Sequence, residues 1–317
     1  MMNSTNQGSV SASFFGGFIG WFSNNKETTL RVIYCSNNGP ITNNLGAPIG
    51  GFIGIIHNNH DIEISFQGCK NNGALSWGGN DGGFLGDFDS NKNATLKLDH
   101  CQNHGAISGG PAGGFVGRIY GNRNTSMVFK KCVNHGDVAS EEQCTGGIIG
   151  FVLSYQKSSQ LVILKNTCNY GHIMTEEHMS CGLACVDTEN QFNLNITAIN
   201  CIKYGNVNTN ISAYGIINII TKARNVVSMG DVTGSSGSFT FWNAFTDVDF
   251  IYSLNDKCKK CCGATLFKHN TTTWFYEVVG TGQHVDDLLN DESVNQHFGM
   301  MWTKELELVD KVTLTVN

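Results

Sequence analysis

Apolar and polar side chains alternate in short runs that recur along the chain. Leu30 and Val32, then Ile62, Ile64 and Phe66, Leu96 and Leu98, Met127 and Phe129, Val162 and Leu164, and Leu194 and Ile196 keep one parity. Arg31, Glu63, Ser65, Lys97, Asp99, Lys130, Lys165 and Thr197 keep the other. A period of two predicts a strand with one face in a core and the other in water. No repeat shows the i, i+3, i+4 spacing of an amphipathic helix, which excludes a helical repeat.

These runs sit between two motifs that keep the same beat. The first is G-G-Φ-Φ-G, with Φ apolar, starting at Gly16, Gly50, Gly82, Gly113 and Gly146, at steps of 34, 32, 31 and 33 residues. Weaker copies occupy Cys181 to Cys185 and Tyr214 to Asn218. The second is C-x-N-x-G-x-Φ, from Cys35, Cys69, Cys101 and Cys132, each three residues after an alternating run ends. Degenerate versions follow: Cys168 has slipped by one position, Lys203 replaces Asn in the copy from Cys201, and Val226 to Val232 has lost both Cys and Asn.

Three short strands per repeat, closed by glycine corners, predict one coil of a solenoid. The expected fold is therefore all-β, a parallel β-helix of about seven coils over residues 14–233. Stacked strands ~4.8 Å apart give a rod on the order of 30 Å long plus its ends. Stacking places Asn37, Asn71, Asn103, Asn134 and Asn169 in a column whose amides hydrogen-bond from coil to coil. Cys35, Cys69, Cys101 and Cys132, with Cys201 further along, form a second column of inward thiols, each packing as a small hydrophobe.

After Val232 the beat fails, and Gly234 to Ser238 leads into an aromatic-rich run from Phe239 to Phe245. Residues 234–317 read as a mixed cap over the last coil, with a helix at Val285 to Asn290 and a strand at Lys311 to Val316. On the other side, Met1 to Phe15 is either a minimal cap or leaves the first coil to meet a partner.

Composition adds exclusions. The chain has 317 residues, 40% hydrophobic, with 38 Gly and 12 Cys against only 3 Pro. With 20 Lys+Arg against 26 Asp+Glu and no basic run, nucleic acid is not an expected partner. Met1 to Ser13 is polar, so no signal peptide is read there, and no apolar stretch is long enough for a spanning helix. Sequons at Asn3, Asn93, Asn124, Asn195, Asn210 and Asn270 point to a secreted setting, whereas reduced thiols fit a reducing one.

The paired motifs resemble the GLUG-type glycine-rich repeats of bacterial and protist surface proteins, which also occur beside the protease domain of some IgA-cleaving metallopeptidases. The resemblance covers residues 14–233, and Val285 to Asn290, Trp302 and Leu306 to Leu308 look like the sequence that closes such arrays. It implies a non-catalytic surface or adhesion module and an extracellular location. This chain has no H-E-x-x-H, so the protease activity does not carry over.

The expected function is a non-catalytic interaction module presenting a repetitive face to a protein or glycan, with Trp21 and Trp77 either stacking on sugars or packing at corners. The alternatives are a β-helix enzyme acting on polysaccharide and a structural protein that self-associates end to end. Asp87, Asp89 and Asp99 fall in one repeat and His104 and His135 at equivalent positions, yet no cross-coil carboxylate pair is readable. No catalytic, cofactor or metal residue is therefore assigned. Redox or metal chemistry is to be sought at the cysteines outside the column. These are Cys258, Cys261 and Cys262, with His269 near, and Cys144, Cys181 and Cys185, where an inter-coil disulfide is one outcome.

Overall fold

A computed structural model describes residues 1–253, apart from 11–14, 44, 142, 155–158, 192 and 229, together with 260–266 and 275–277. The described chain forms strands and turns without a helix, and every strand pair is parallel. It is a β-solenoid.

Pairing register follows the sequence motifs. Gly16 pairs with Gly50, Gly50 with Gly82, Gly82 with Gly113 and Gly113 with Gly146, and the column runs on through Cys181 to Tyr214. The alternating runs stack as Leu30 on Ile64, Ile64 on Leu96, Leu96 on Met127 and Met127 on Val162. Each coil carries more segments than the three expected. The strand after the glycine pair forms its own six-stranded sheet, from Ile19–Ser23 to Ala184–Gln191, and the final Φ position lies in a seven-stranded sheet, from Ile41–Thr42 to Val232–Gly234. Six coils thus contribute to every face. The seventh completes the seven-stranded sheet and reaches the other only through an isolated bridge, Ala184 with Ile217.

Two apolar columns fill the coil. The larger lies between the six-stranded sheet and the alternating strands, and its centre is a file of phenylalanines at the third motif position. Phe18, Phe52, Phe84 and Phe115 stack with centroids 5.2, 4.8 and 4.9 Å apart. The smaller column joins Ile41, Leu75, Ile107, Val138, Ile173 and Val207 to Ile49 and Ala112. Between the columns runs the asparagine ladder. Asn37, Asn71, Asn103 and Asn134 each donate to the Oδ1 of the next Asn at 2.7 Å, and each also donates to the carbonyl of the Gly two residues on.

The ladder explains the glycine pair. The second Gly of each pair presses on the ladder: a Cβ on Gly83 would lie 2.2 Å from Gly114 O and 2.5 Å from Asn103 Oδ1. The backbone must therefore be bare where the chain crosses between the two columns.

The cysteine column is inward and buried as expected, and its thiols also find acceptors. Cys69 and Cys201 each point Sγ at the carbonyl two residues back and at one in the preceding coil, 3.3 to 3.4 Å away. Where the sequence slips, Thr167 takes the column place and its hydroxyl makes the same two bonds, to Lys165 O and Phe129 O. Cys168 moves one position on, beside Val133 and Ile202, and is still buried. Lys203 stands in register with Asn169, fully buried, its ammonium donating to Gly230 O.

At the start, Thr5–Asn6 pairs with Ser36–Asn37, and Asn6 donates to Asn37 Oδ1 at 2.7 Å. Residues 1–10 thus form a partial coil over the first. Past Val232 the pairing continues, with Gly237–Ser253 parallel to Ser212–Tyr214 and Ile219–Ser228. The expected helix at 285–290 and strand at 311–316 lie outside the described residues. Among those described, no helix is long and apolar enough to cross a membrane.

Replacing Asn103 with Ala leaves the Asn71 amide and the Asn134 oxygen short of a buried partner, a loss of about 2–4 kcal/mol. Urea unfolding should show a lower midpoint at unchanged slope. Gly83→Ala, whose new methyl meets backbone that cannot yield, should leave no cooperative unfolding transition at all.

Candidate interaction surface

Two clusters with enzyme-like composition prove to be internally satisfied. Asp87 lies in the strand Leu85–Asp89 and is 1% exposed. Arg118, its register partner one coil on, donates Nε to Oδ1 at 3.2 Å and Nη2 to Oδ2 at 2.6 Å. Asn80 donates to the same Oδ2, and the Arg118 guanidinium lies over the Tyr120 ring. Burial raises the Asp87 pKa, with Arg118 pulling against it. Asp89 is paired with His57 Nδ1 at 2.9 Å. Both acids are thus held by neighbours in adjacent coils.

His104 and His135 belong to a column that the sequence only hints at. Their rings stack at 4.6 Å, His135 stacks on Tyr170 at 5.1 Å, and Tyr170 on Tyr204 at 4.6 Å, all within 7° of parallel. Burial lowers both histidine pKa values, assisted by Lys70 at His104 and by His104 at His135. The charged form of each ring is thus disfavoured where the two stack. Within the file each ring face is covered by the next, so the column offers ring edges to solvent.

Among the described cysteines, Cys35, Cys69, Cys101, Cys132, Cys144, Cys168 and Cys201 are free and buried. Cys181 and Cys185 form a disulfide within one coil, where an inter-coil bridge was one expectation. Cys144 Sγ lies 3.0 Å from His178 Nδ1, and burial pushes its thiol up to about 12. Among the described residues no group of three or more His, Cys, Asp or Glu is arranged to hold a metal ion. Cys258 and His269 lie outside the described residues, and Cys261 and Cys262 fall in the strand Lys260–Leu266.

What the fold leaves unsatisfied is an aromatic group at one corner. The strand Leu75–Gly78 carries one extra residue: Ser76 pairs with Ser108 and Gly78 with Gly109, so Trp77 has no opposite number. Trp77 takes a left-handed backbone, φ 69°, and holds its indole 67% exposed. A bulky residue there costs of order 1–3 kcal/mol and persists only where its surroundings fix it. The fixing group is Asp81, whose Oδ2 accepts the Gly78 N–H at 3.0 Å. Gly79 N–H also donates to Ala47 O, tying the corner to that of the preceding coil, where Leu45 is 74% exposed. Corner packing, one of the two expectations for Trp77, does not occur; Trp21, on the six-stranded sheet, is also exposed.

Asp81 holds this corner from an unfavourable place. It lies between Ile49 and Ala112 in the smaller apolar column, fully buried, and its Oδ1 has no hydrogen-bond partner. Burial raises its pKa to about 8 despite the backbone amides of Gly78 and Ile49. Beside the corner, the seven-stranded sheet turns a flat strip to solvent with one side chain per coil: Thr42, Ser76, Ser108, Ala139, Met174, Asn208 and Thr233. Nothing in the sequence pattern marks the bulge: the N-x-G-x-Φ copy is complete at Leu75, and the step from Φ to the next glycine pair varies from coil to coil.

No family model, curated protein or solved structure matches the chain.

The raised pKa of Asp81 fixes a pH dependence. The unfolded carboxyl ionises near 3.8, while the folded one keeps its proton to about 8. Between these values the unfolded state binds fewer protons, so stability falls as pH rises, by on the order of 5 kcal/mol in all. Asp81→Asn, neutral throughout, should gain on the parent by several kcal/mol between pH 4 and pH 8, as read from paired denaturation curves. Equal pH profiles would refute the assignment.

Proposed function

We propose that the chain is a non-catalytic recognition module that lays the seven-stranded face along an extended carbohydrate, with the Trp77 indole stacking on a sugar ring. The observation that carries this reading is the strained, exposed Trp77, held out by a buried acid that costs stability at neutral pH. A fold that keeps two such unfavourable features together gains nothing from them in packing, which makes them a cost tolerated for contact with something outside. The strip, polar at five of its seven positions, supports a glycan over an apolar protein surface, because wet hydrogen bonding beside one aromatic platform suits a sugar chain. A surface role also agrees with the resemblance to GLUG-type repeats.

Binding to a glycan array, followed by titration of the best ligand with tryptophan fluorescence as readout, tests the proposal. Trp77→Ala should weaken binding about tenfold or more, equivalent to roughly 1.4 kcal/mol, at unchanged circular dichroism. Trp21→Ala, on another face, should leave the affinity as it was. Silence across the array, or a Trp77→Ala protein that binds as tightly as the parent, would overturn the reading; selective capture of a purified cell-surface protein in its place would assign the corner to a protein partner.

A further inference from the structure

The Asp81 carboxyl lies directly beneath two successive corners of the solenoid. A Cβ built on Gly78 would overlap its Oδ1 and one built on Gly109 its Oδ2, so the bare backbone of both coils closes over the acid. Gly78 is held from two sides: its N–H donates to Asp81 Oδ2 at 3.0 Å, and its carbonyl accepts the Gly110 N–H at 2.9 Å. Before and after it the chain is anchored to the next coil, by Leu75 N–H to Ala106 O and by Asp81 N–H to Pro111 O. Between these fixed points stands the inserted Trp77, strained and without an opposite number in that coil.

No neighbour compensates a charge at Asp81. Of the strands packed on it, Ile49–Gly50, Leu75–Gly78, Ile107–Gly109, Ala112–Gly113 and Ile149–Ser154 carry no titratable side chain. Leu85–Asp89 and Val116–Tyr120 carry four, already engaged: Asp87 with Arg118, Asp89 with His57, and Tyr120 beneath the Arg118 guanidinium. Cys144, whose carbonyl accepts the Ala112 N–H, turns its sulfur to His178. With Oδ1 unpaired, an ionised Asp81 can recover its solvation only where the corner opens to water.

We propose that Asp81 is a proton-operated latch for the Trp77 corner: protonated, it stays in the apolar column and holds Gly78 so that the indole is presented; ionised, it leaves the column for water and the corner loses its fixed shape. Release of the Gly78 N–H lets Trp77 leave its left-handed backbone, which relieves the strain. The opening is local, because the asparagine ladder and the phenylalanine file run outside this corner. The consequence for binding rests on the carbohydrate reading above. The latched corner is the form that binds, so apparent affinity follows the protonated fraction. With the Asp81 pKa raised to about 8 by burial, affinity falls about tenfold by about pH 9.

The full chain, labelled with fluorotryptophan, is followed by fluorine NMR between about pH 6 and about pH 10, with the Trp77 resonance assigned by its loss in Trp77→Phe. That resonance should move with a midpoint near pH 8 while the Trp21 resonance and the far-UV circular dichroism stay constant. Asp81→Asn keeps an acceptor for the Gly78 N–H and has no proton to lose, so its Trp77 resonance should remain at the latched position and its glycan affinity should not change with pH. A parent resonance that stays still, one that moves equally in Asp81→Asn, or one that moves together with loss of circular dichroism would overturn the latch. None of these readouts needs a ligand, so a silent glycan array overturns the carbohydrate reading alone.

Discussion

The coil depends on one contact, that between the asparagine ladder and the bare backbone of the glycine pair. Each Asn side chain lies on the axis between two apolar columns, where an unpaired amide would cost several kcal/mol. It is paired completely: to the Asn above, the Asn below and the carbonyl of its own N-x-G turn. That arrangement fixes height, because a coil inserted or slipped by one residue would break two amide hydrogen bonds at once. It also fixes width, because the facing chain can come this close only without a Cβ. The phenylalanine file and the thiol column then follow from a spacing that the ladder has already set.

This constraint explains why so much of the fold was readable. Each conserved-phase residue type in a coil answers to a neighbour of the same type in the next, so a repeat in sequence is a column in space. The second asparagine ladder shows the limit. Asn25 donates to Asn59, Asn59 to Asn91 and Asn91 to Asn122, at 2.9 to 3.1 Å, and each stands nine residues after the first glycine of its repeat. The signal is present, yet in a chain this rich in Asn it is indistinguishable from chance until the glycine beat is used as a ruler. Thr167 was hidden for the opposite reason: the column is kept while the residue type changes, because a hydroxyl finds the same two carbonyls as a thiol.

Sites escape a periodic reading because they are departures from it. Asp81 occupies the place that Ile49 and Ala112 fill in neighbouring coils, Trp77 is an inserted residue, and the Cys144 cluster lies where the cysteine column has no member. A repeat search registers each as a defect. Asp87 shows the converse: a carboxylate that looks free along the sequence is taken up by Arg118, one coil away and 31 residues on. Neighbourhood in a solenoid is set by a step of about one repeat, which composition within a repeat does not reveal.

The two departures differ in what they ask of the fold. At the Trp77 corner, a buried acid is kept neutral so that one backbone amide stays in place, and the indole it presents is turned away from every apolar column. At the Cys144 cluster, the side chains are turned inward, and two of the three sulfurs are joined in a disulfide. A surface that projects a large rigid group suits recognition of a large partner, whereas a buried sulfur cluster serves the packing between coils. A solenoid can carry both because each coil contacts only its neighbours. A strained corner in the second coil and a buried sulfur cluster near the fifth and sixth glycine corners therefore need make no compromise with each other.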